Sequence, residues 1–207
     1  MSSFPDSLTD PELFAVNEIL ASIGQAPVVN LNTANPDTAI ALNTLRSTNR
    51  EVQAEGWVFN MENEYSFSPD NDGNILVPAN ILMLDVTKYL PENYGQSVVV
   101  REGKLYNKIE HTFLWDEALL CDVLWLVPFS DTPAVFQNFV TARAAVVAST
   151  RMVGGDKVMY AMLKDKEASA KAAVMQYECA QSNPNMLGFD PGQNRYTSYE
   201  PFHALIR

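Results

Sequence analysis

The apolar positions begin with a helical period. Leu13, Val16, Leu20 and Ile23 form one stripe, Thr9 and Glu12 have the spacing of a capping box, and Pro11 suits a first turn. With Gly24 as a left-handed end, these signals predict a helix over 9–24. After an extended segment at 26–31, Asn35-Pro36 opens a second helix with the stripe Leu42, Leu45 and Val52, closed by Gly56. The period then drops to two. Trp57, Phe59 and Met61 alternate with other side chains, as do Tyr65 and Phe67, so strands are expected from Trp57 onward. Asp72-Gly73 and Glu102-Gly103 read as hairpin turns, the second flanked by β-rich runs at 98–100 and 104–106. A nearly continuous apolar run at 119–127 predicts a strand buried on both faces, with Asp122 as an unexplained interruption.

The helical period returns at Thr132-Pro133. Val135, Phe139, Ala142, Val146 and Val147 make a third stripe that ends near Gly154-Gly155. Asp156 caps a fourth helix running to about Ser182, with Val158, Met162, Ala172 and Met175 near one face and Pro184 beyond its end. The pattern describes an α+β protein: a discontinuous four-helix-type bundle from 1–56 and 129–184, a β-rich, sandwich-like insertion at 57–128, and an extended C-terminal tail at 185–207.

The charge narrows the function. The 207 residues carry 14 Lys and Arg against 25 Asp and Glu, a net −11, which opposes the basic face of a tight nucleic-acid binder. Residues 1–74 hold 11 acids and two bases, Arg46 and Arg50, so this stretch makes most of the imbalance. Cys121 and Cys179 lie far apart in apolar surroundings and support neither a disulfide framework nor a zinc site. The first ten residues lack a basic then apolar leader, and no run of about 18 apolar residues occurs, so a soluble protein without membrane contact, made in a reducing cytoplasm, is expected.

Candidate chemistry is sparse, and neither a catalytic constellation, a cofactor site nor a metal site is expected. The turn Asp70-Asn71-Asp72-Gly73-Asn74 has the oxygens of a calcium loop, but Ile75 and Ile81 stand where such a loop needs its glycine and bidentate glutamate. Glu62 and Glu64, two apart on a strand, would face the same way, and paired carboxylates are what glycosidic hydrolysis requires; a glycan-degrading enzyme is the alternative function. His111 with Asp116 or Glu117 could form a base, but the only other histidine is His203, in the tail. Lys164, Lys166 and Lys171, with Lys157, recur along the fourth helix and are candidates to touch passing DNA. Tyr196, Tyr199 and Phe202 in the unpatterned tail are candidates for docking a partner.

The run Ala15-Val16-Asn17-Glu18-Ile19-Leu20-Ala21-Ser22-Ile23-Gly24-Gln25-Ala26-Pro27-Val28 resembles the opening signature of the tail tubular protein A family of short-tailed phages. Arg50, Val52, Gln53 and then Gly56-Trp57-Val58-Phe59-Asn60 resemble that family's helix-to-strand transition, and Asn185-Met186-Leu187 follows near the C-terminus. The resemblance implies a virion tail protein that assembles in the host cytoplasm as a twelve-copy gatekeeper ring. Its implied partners are the portal protein, a tail nozzle resembling tail tubular protein B, tail fibres, and the viral DNA in transient, non-specific contact. By this resemblance its work is binding, without a cofactor.

Overall fold

The first two helices begin and end where the chain supplies groups that satisfy their free backbone ends. In α1 (Pro11–Ser22) the Asp10 carboxylate accepts the amides of Glu12 and Leu13 at 3.1 and 3.2 Å. Asp10 thus holds the capping position; Thr9 lies outside the described residues. At the other end the Gln25 amide donates to the Leu20 carbonyl at 2.9 Å and that of Gly24 to Ala21, closing the turn with Gly24 at φ +77°. Asn35 caps α2 (Pro36–Gln53) through the Asp37 amide. The remaining helices are α3 (Ala134–Met152) and α4 (Lys157–Ser182). The computed structural model describes residues 10–86, 98–152, 154 and 157–182, with the backbone of 189–190 and 195–196.

α3 is the central helix, packed against α1, α2 and α4. It buries Phe136, Phe139 and Val140 together with Ala142, Ala144, Ala145 and Ala148, so it is covered over far more than the stripe expected from its sequence. The alanines let neighbouring helices approach closely on several sides. α1 contributes Ala15, Val16, Ile19 and Leu20, while Leu13 and Ile23 at the margins of the expected stripe are only half-buried. The fourth helix departs most from expectation. Its inward line is Leu163, Ala170 and Val174, whereas Val158, Met162, Ala172 and Met175 are exposed. At about 100° per residue these two sets lie on opposite sides of the helix.

Trp57 also corrects the sequence reading. It does not open a strand. The Asn60 side chain accepts the Trp57 amide at 2.9 Å and closes a 3-10 turn at Val58–Asn60, and this local cap outweighs the apparent alternation. The indole belongs to the helical core, with its N–H donating to the Val52 carbonyl at 2.6 Å and its ring edge-on to Phe136 at 5.6 Å. Phe59 meets Phe136 edge-on at 4.8 Å.

The sheet region has strands β1 (Met61–Phe67), β2 (Ile81–Val86), β3 (Val98–Arg101), β4 (Lys104–Asn107) and β5 (Leu119–Trp125). Antiparallel pairing gives the order β1-β5-β2, with β3-β4 as a separate hairpin turning at Glu102-Gly103, φ +53° and +72°. The Asp72-Gly73 turn forms, but the chain after it makes only isolated bridges, Asn74 with Leu114 and Leu76 with Lys104. Phe67, Ile75, Val86, Leu105, Trp115, Leu119, Cys121 and Val123 make a second core. β2, whose pattern gave no alternation, was not anticipated.

β5 is not buried on both faces along its length. Leu119, Cys121 and Val123 point into the second core, while Leu120 is exposed and Asp122 half-buried. Asp122 now has a physical role: its carboxylate accepts the Glu64 amide at 2.9 Å, where a bulge in β1 turns Glu64 to φ +57°. In the C-terminal segment, β6 (Phe189–Asp190) pairs with β7 (Arg195–Tyr196).

Candidate partner-binding surfaces

The chain leaves the helices after α2 and returns before α3, and the two crossings are locked together. Gln53 is fully buried; its Nε2 donates to the Val127 carbonyl at 2.8 Å and to Asn49, while its Oε1 accepts the Val127 amide at 2.8 Å. Asn60 Nδ2 donates to the carbonyls of Gln53 and Trp125 at 3.0 and 2.9 Å. Leu124 packs over Gly56, whose φ of +82° suits glycine. Buried amides with every partner in place hold one geometry, so the helices and the sheet present their outer surfaces in a fixed relation. A cleft of about 300 Å³ lies beside this joint, lined by Glu12, Arg46, Asn49, Val127 and Phe129, and the Arg46–Glu12 ion pair at 3.1 Å spans it.

A larger groove, about 500 Å³, runs between α1, α3 and α4. Phe14, Val135, Ala142, Ala170 and Ala173 give it apolar walls, and the Lys166–Glu18 ion pair at 2.8 Å bridges two of its helices. Around the corner of α4 lies that helix's exposed apolar side. Neither surface carries the grouped titratable side chains of a catalytic centre; both have the character of contact surfaces.

The residues singled out from the sequence do not converge. Lys164 is paired with Glu167 at 2.7 Å and Lys166 with Glu18, while Lys171 is exposed on α4. Tyr196 stands in β7; its side chain, Tyr199 and Phe202 lie outside the described residues, as does His203. The Glu62 carboxylate accepts the Trp125 indole N–H at 2.9 Å, and the bulge at Glu64 breaks the alternation that would have set the two carboxylates side by side. His111 sits in a turn at φ +56°, with Nδ1 3.4 Å from the Tyr106 hydroxyl. Asp70 binds its own turn, accepting the amides of Asn74 and Asp72 at 2.8 and 2.9 Å, and those bonds, Asn74's foremost, hold its carboxyl below the usual range. Among the described residues no three His, Cys, Asp or Glu side chains are grouped to hold a metal, and no helix is long and apolar enough to cross a membrane. The joint built on Gln53 and Asn60 was missed from sequence, because buried amides in a chain look the same as exposed ones.

The fold is one of packed helices carrying a small sheet, and its outer surfaces among the described residues have the character of contact surfaces. The chain matches the family model of tail tubular proteins over residues 13–184 and belongs to that family, a family of virion tail components and not a class of enzymes. It is 29% identical over 145 residues to tail tubular protein A of Klebsiella phage KP34, a match covering 70% of this chain and 75% of that relative. Two of the three resembling segments fall on described structure, 15–28 on α1 with its glycine-closed end and 56–60 on the Trp57 turn at the joint, while Asn185-Met186-Leu187 lies outside the described residues.

Proposed function

We propose that this chain is the adaptor that joins the phage portal to the tail nozzle, as a ring of twelve copies around the DNA exit channel with fibres attached at its side. The observation that carries the reading is the relative named tail tubular protein A, similar along most of both chains. In this reading the helices, a four-helix-type bundle from 1–56 and 129–184, build the ring and meet the portal. The sandwich-like insertion at 57–128 reaches toward the nozzle and fibres, and the tail at 185–207 adds aromatic contacts through Tyr196, Tyr199 and Phe202. The net charge of −11 per copy suits a channel wall that repels phosphates and lets DNA slide. Assembly takes place in the host cytoplasm before the ring becomes part of the virion tail.

The test is the mass of the purified protein by light scattering on a sizing column, alone and mixed with its portal ring. A ring-sized species, or stoichiometric addition to the portal, is expected. A monomer that ignores the portal overturns the reading.

A further inference from the structure

The sheet has two open edges, and they are not alike. β1 is shielded along its middle by Glu62, Glu64 and its bulge. In β2 the register shift falls at the start, between Ile81 and Met83, so residues 83–86 present a regular edge whose one charged side chain is Asp85. Leu84 and Val86 pack on the second core, while Met83, exposed to 56%, and Asp85 face outward. A regular, mostly apolar edge is a template for a further strand.

Asp85 indicates what that strand should bring. It stands directly opposite Asp122 on β5, and like charges so placed repel. Asp122 accepts the Glu64 amide, and among the described residues neither carboxylate has a cation partner. A matching strand therefore carries a cation on the outer face beside Asp85 and apolar side chains on the inner face.

A segment outside the described residues has this pattern. In Phe202-His203-Ala204-Leu205-Ile206-Arg207 a period of two puts Phe202, Ala204 and Ile206 on one side and His203, Leu205 and Arg207 on the other. Laid antiparallel to β2 with Phe202 opposite Val86, it sets His203 opposite Asp85, Ala204 opposite Leu84 and Leu205 opposite Met83. A slip of one residue turns Phe202 and Ala204 to solvent. The parallel alignment that keeps His203 at Asp85 sets Pro201, which has no amide to donate, against Met83. The chain also leaves α4 close by. Glu178 accepts the Val58 amide at 2.6 Å, Asn60 at the end of that turn donates to the Trp125 carbonyl, and Trp125 lies opposite Ile81. Residues 183–188 and 197–201 span about 35 Å when extended, enough to reach the Val86 end of β2, about 20 Å away.

We infer that residues 202–207 add to the β2 edge of their own chain as an antiparallel fourth strand, with His203 and Arg207 on the face of Asp85 and Asp122. The inference is independent of the ring reading. It moves Phe202 from the partner contacts proposed above onto the sheet core and leaves Tyr196 and Tyr199 to them.

The experiment uses the full chain with Cys179→Ser, which leaves the buried Cys121 as the other native thiol. Met83→Cys is combined with Leu205→Cys and, as a control for register, with Ala204→Cys. Met83 is exposed and Leu205 faces outward in this arrangement, so the first pair leaves the core intact. The unassembled chain is oxidised at high dilution and followed on non-reducing gels. An internal disulfide in the Met83→Cys, Leu205→Cys chain, formed roughly tenfold faster than in the control, is the expected result. Equal rates overturn the register, and no link in either chain overturns the added strand. A link between chains alone means that the strand comes from another copy, and this overturns docking within the chain. In a second measurement, removing residues 202–207 speeds exchange of those amides of 83–86 that point away from β5 by about tenfold and leaves β1 unchanged. Unchanged exchange at 83–86 contradicts the inference.

Discussion

The helical core and the sheet core are built to different standards of enclosure. Around α3, packing comes from three other helices and from Trp57, which is buried to within a few percent although it belongs to the crossing segment. The sheet core is closed by one three-stranded sheet, one hairpin and loop residues such as Ile75 and Trp115, and both edges of the sheet, β1 and β2, lack a further strand among the described residues. β1 guards its edge with Glu62, Glu64 and a bulge, the devices that stop an open strand from recruiting another. A well-enclosed part suits repeated copies in rigid contact, and a thinner part with open edges suits variable partners. The Gln53 joint lets the two differ in construction while remaining in fixed relation.

The largest effect is expected from Trp57→Ala, which empties the space between α3 and the joint and leaves the Val52 carbonyl without its indole partner. A loss of about 3–5 kcal/mol is expected from the cavity, read by denaturant unfolding followed through helical circular dichroism. If Trp57 were a strand residue of the sheet core, the helical signal would instead survive. Gln53→Ala comes next. It strands the amide and carbonyl of Val127, each costing about 1–3 kcal/mol when buried and unpaired, and it should loosen the relation of helices to sheet. Amide exchange should then quicken at Val127 while the centre of α3 stays protected; unchanged exchange at Val127 would show that the joint does not depend on this side chain.

The smallest test separates the two cysteines. Burial, with Asp122 and Asp85 adding to it, pushes the Cys121 thiol from 9.0 up to about 12, whereas Cys179 is exposed on α4. The folded-state value is the raised one, so the thiol's contribution to stability is complete below pH 9.0 and is lost as pH climbs toward 12. At neutral pH an alkylating reagent should therefore modify Cys179 quickly and Cys121 only when the sheet core opens. Equal rates would mean that the second core is open in solution.

Much of the helical part was legible because its signals are local. Asn35-Pro36, Gly24 and Gly56 mark ends through their own backbone preferences, and the Leu42, Leu45 and Val52 stripe is buried as its spacing suggests. The failures share a cause in tertiary context. The α4 stripe is apolar and regular, yet periodicity cannot tell which of two sides faces the core, and here the inward line uses Ala170 and Val174. Trp57 mimicked strand alternation because a short 3-10 turn, closed by Asn60, follows it. Asp122 looked anomalous since the bulge that it serves lies 58 residues away in sequence. The tail tubular resemblance was legible where structure is most constrained, at the end of α1 and at the Trp57 turn.

The central claim is that helices make the ring and its portal contact while the sheet region stays available for the distal tail. Amide exchange on the chain before and after addition to the portal ring tests it most directly. The account predicts new protection along α1, α3 and α4, with exchange in β1, β2 and β5 unchanged. Protection gained across the sheet, with the helices unaltered, would contradict it.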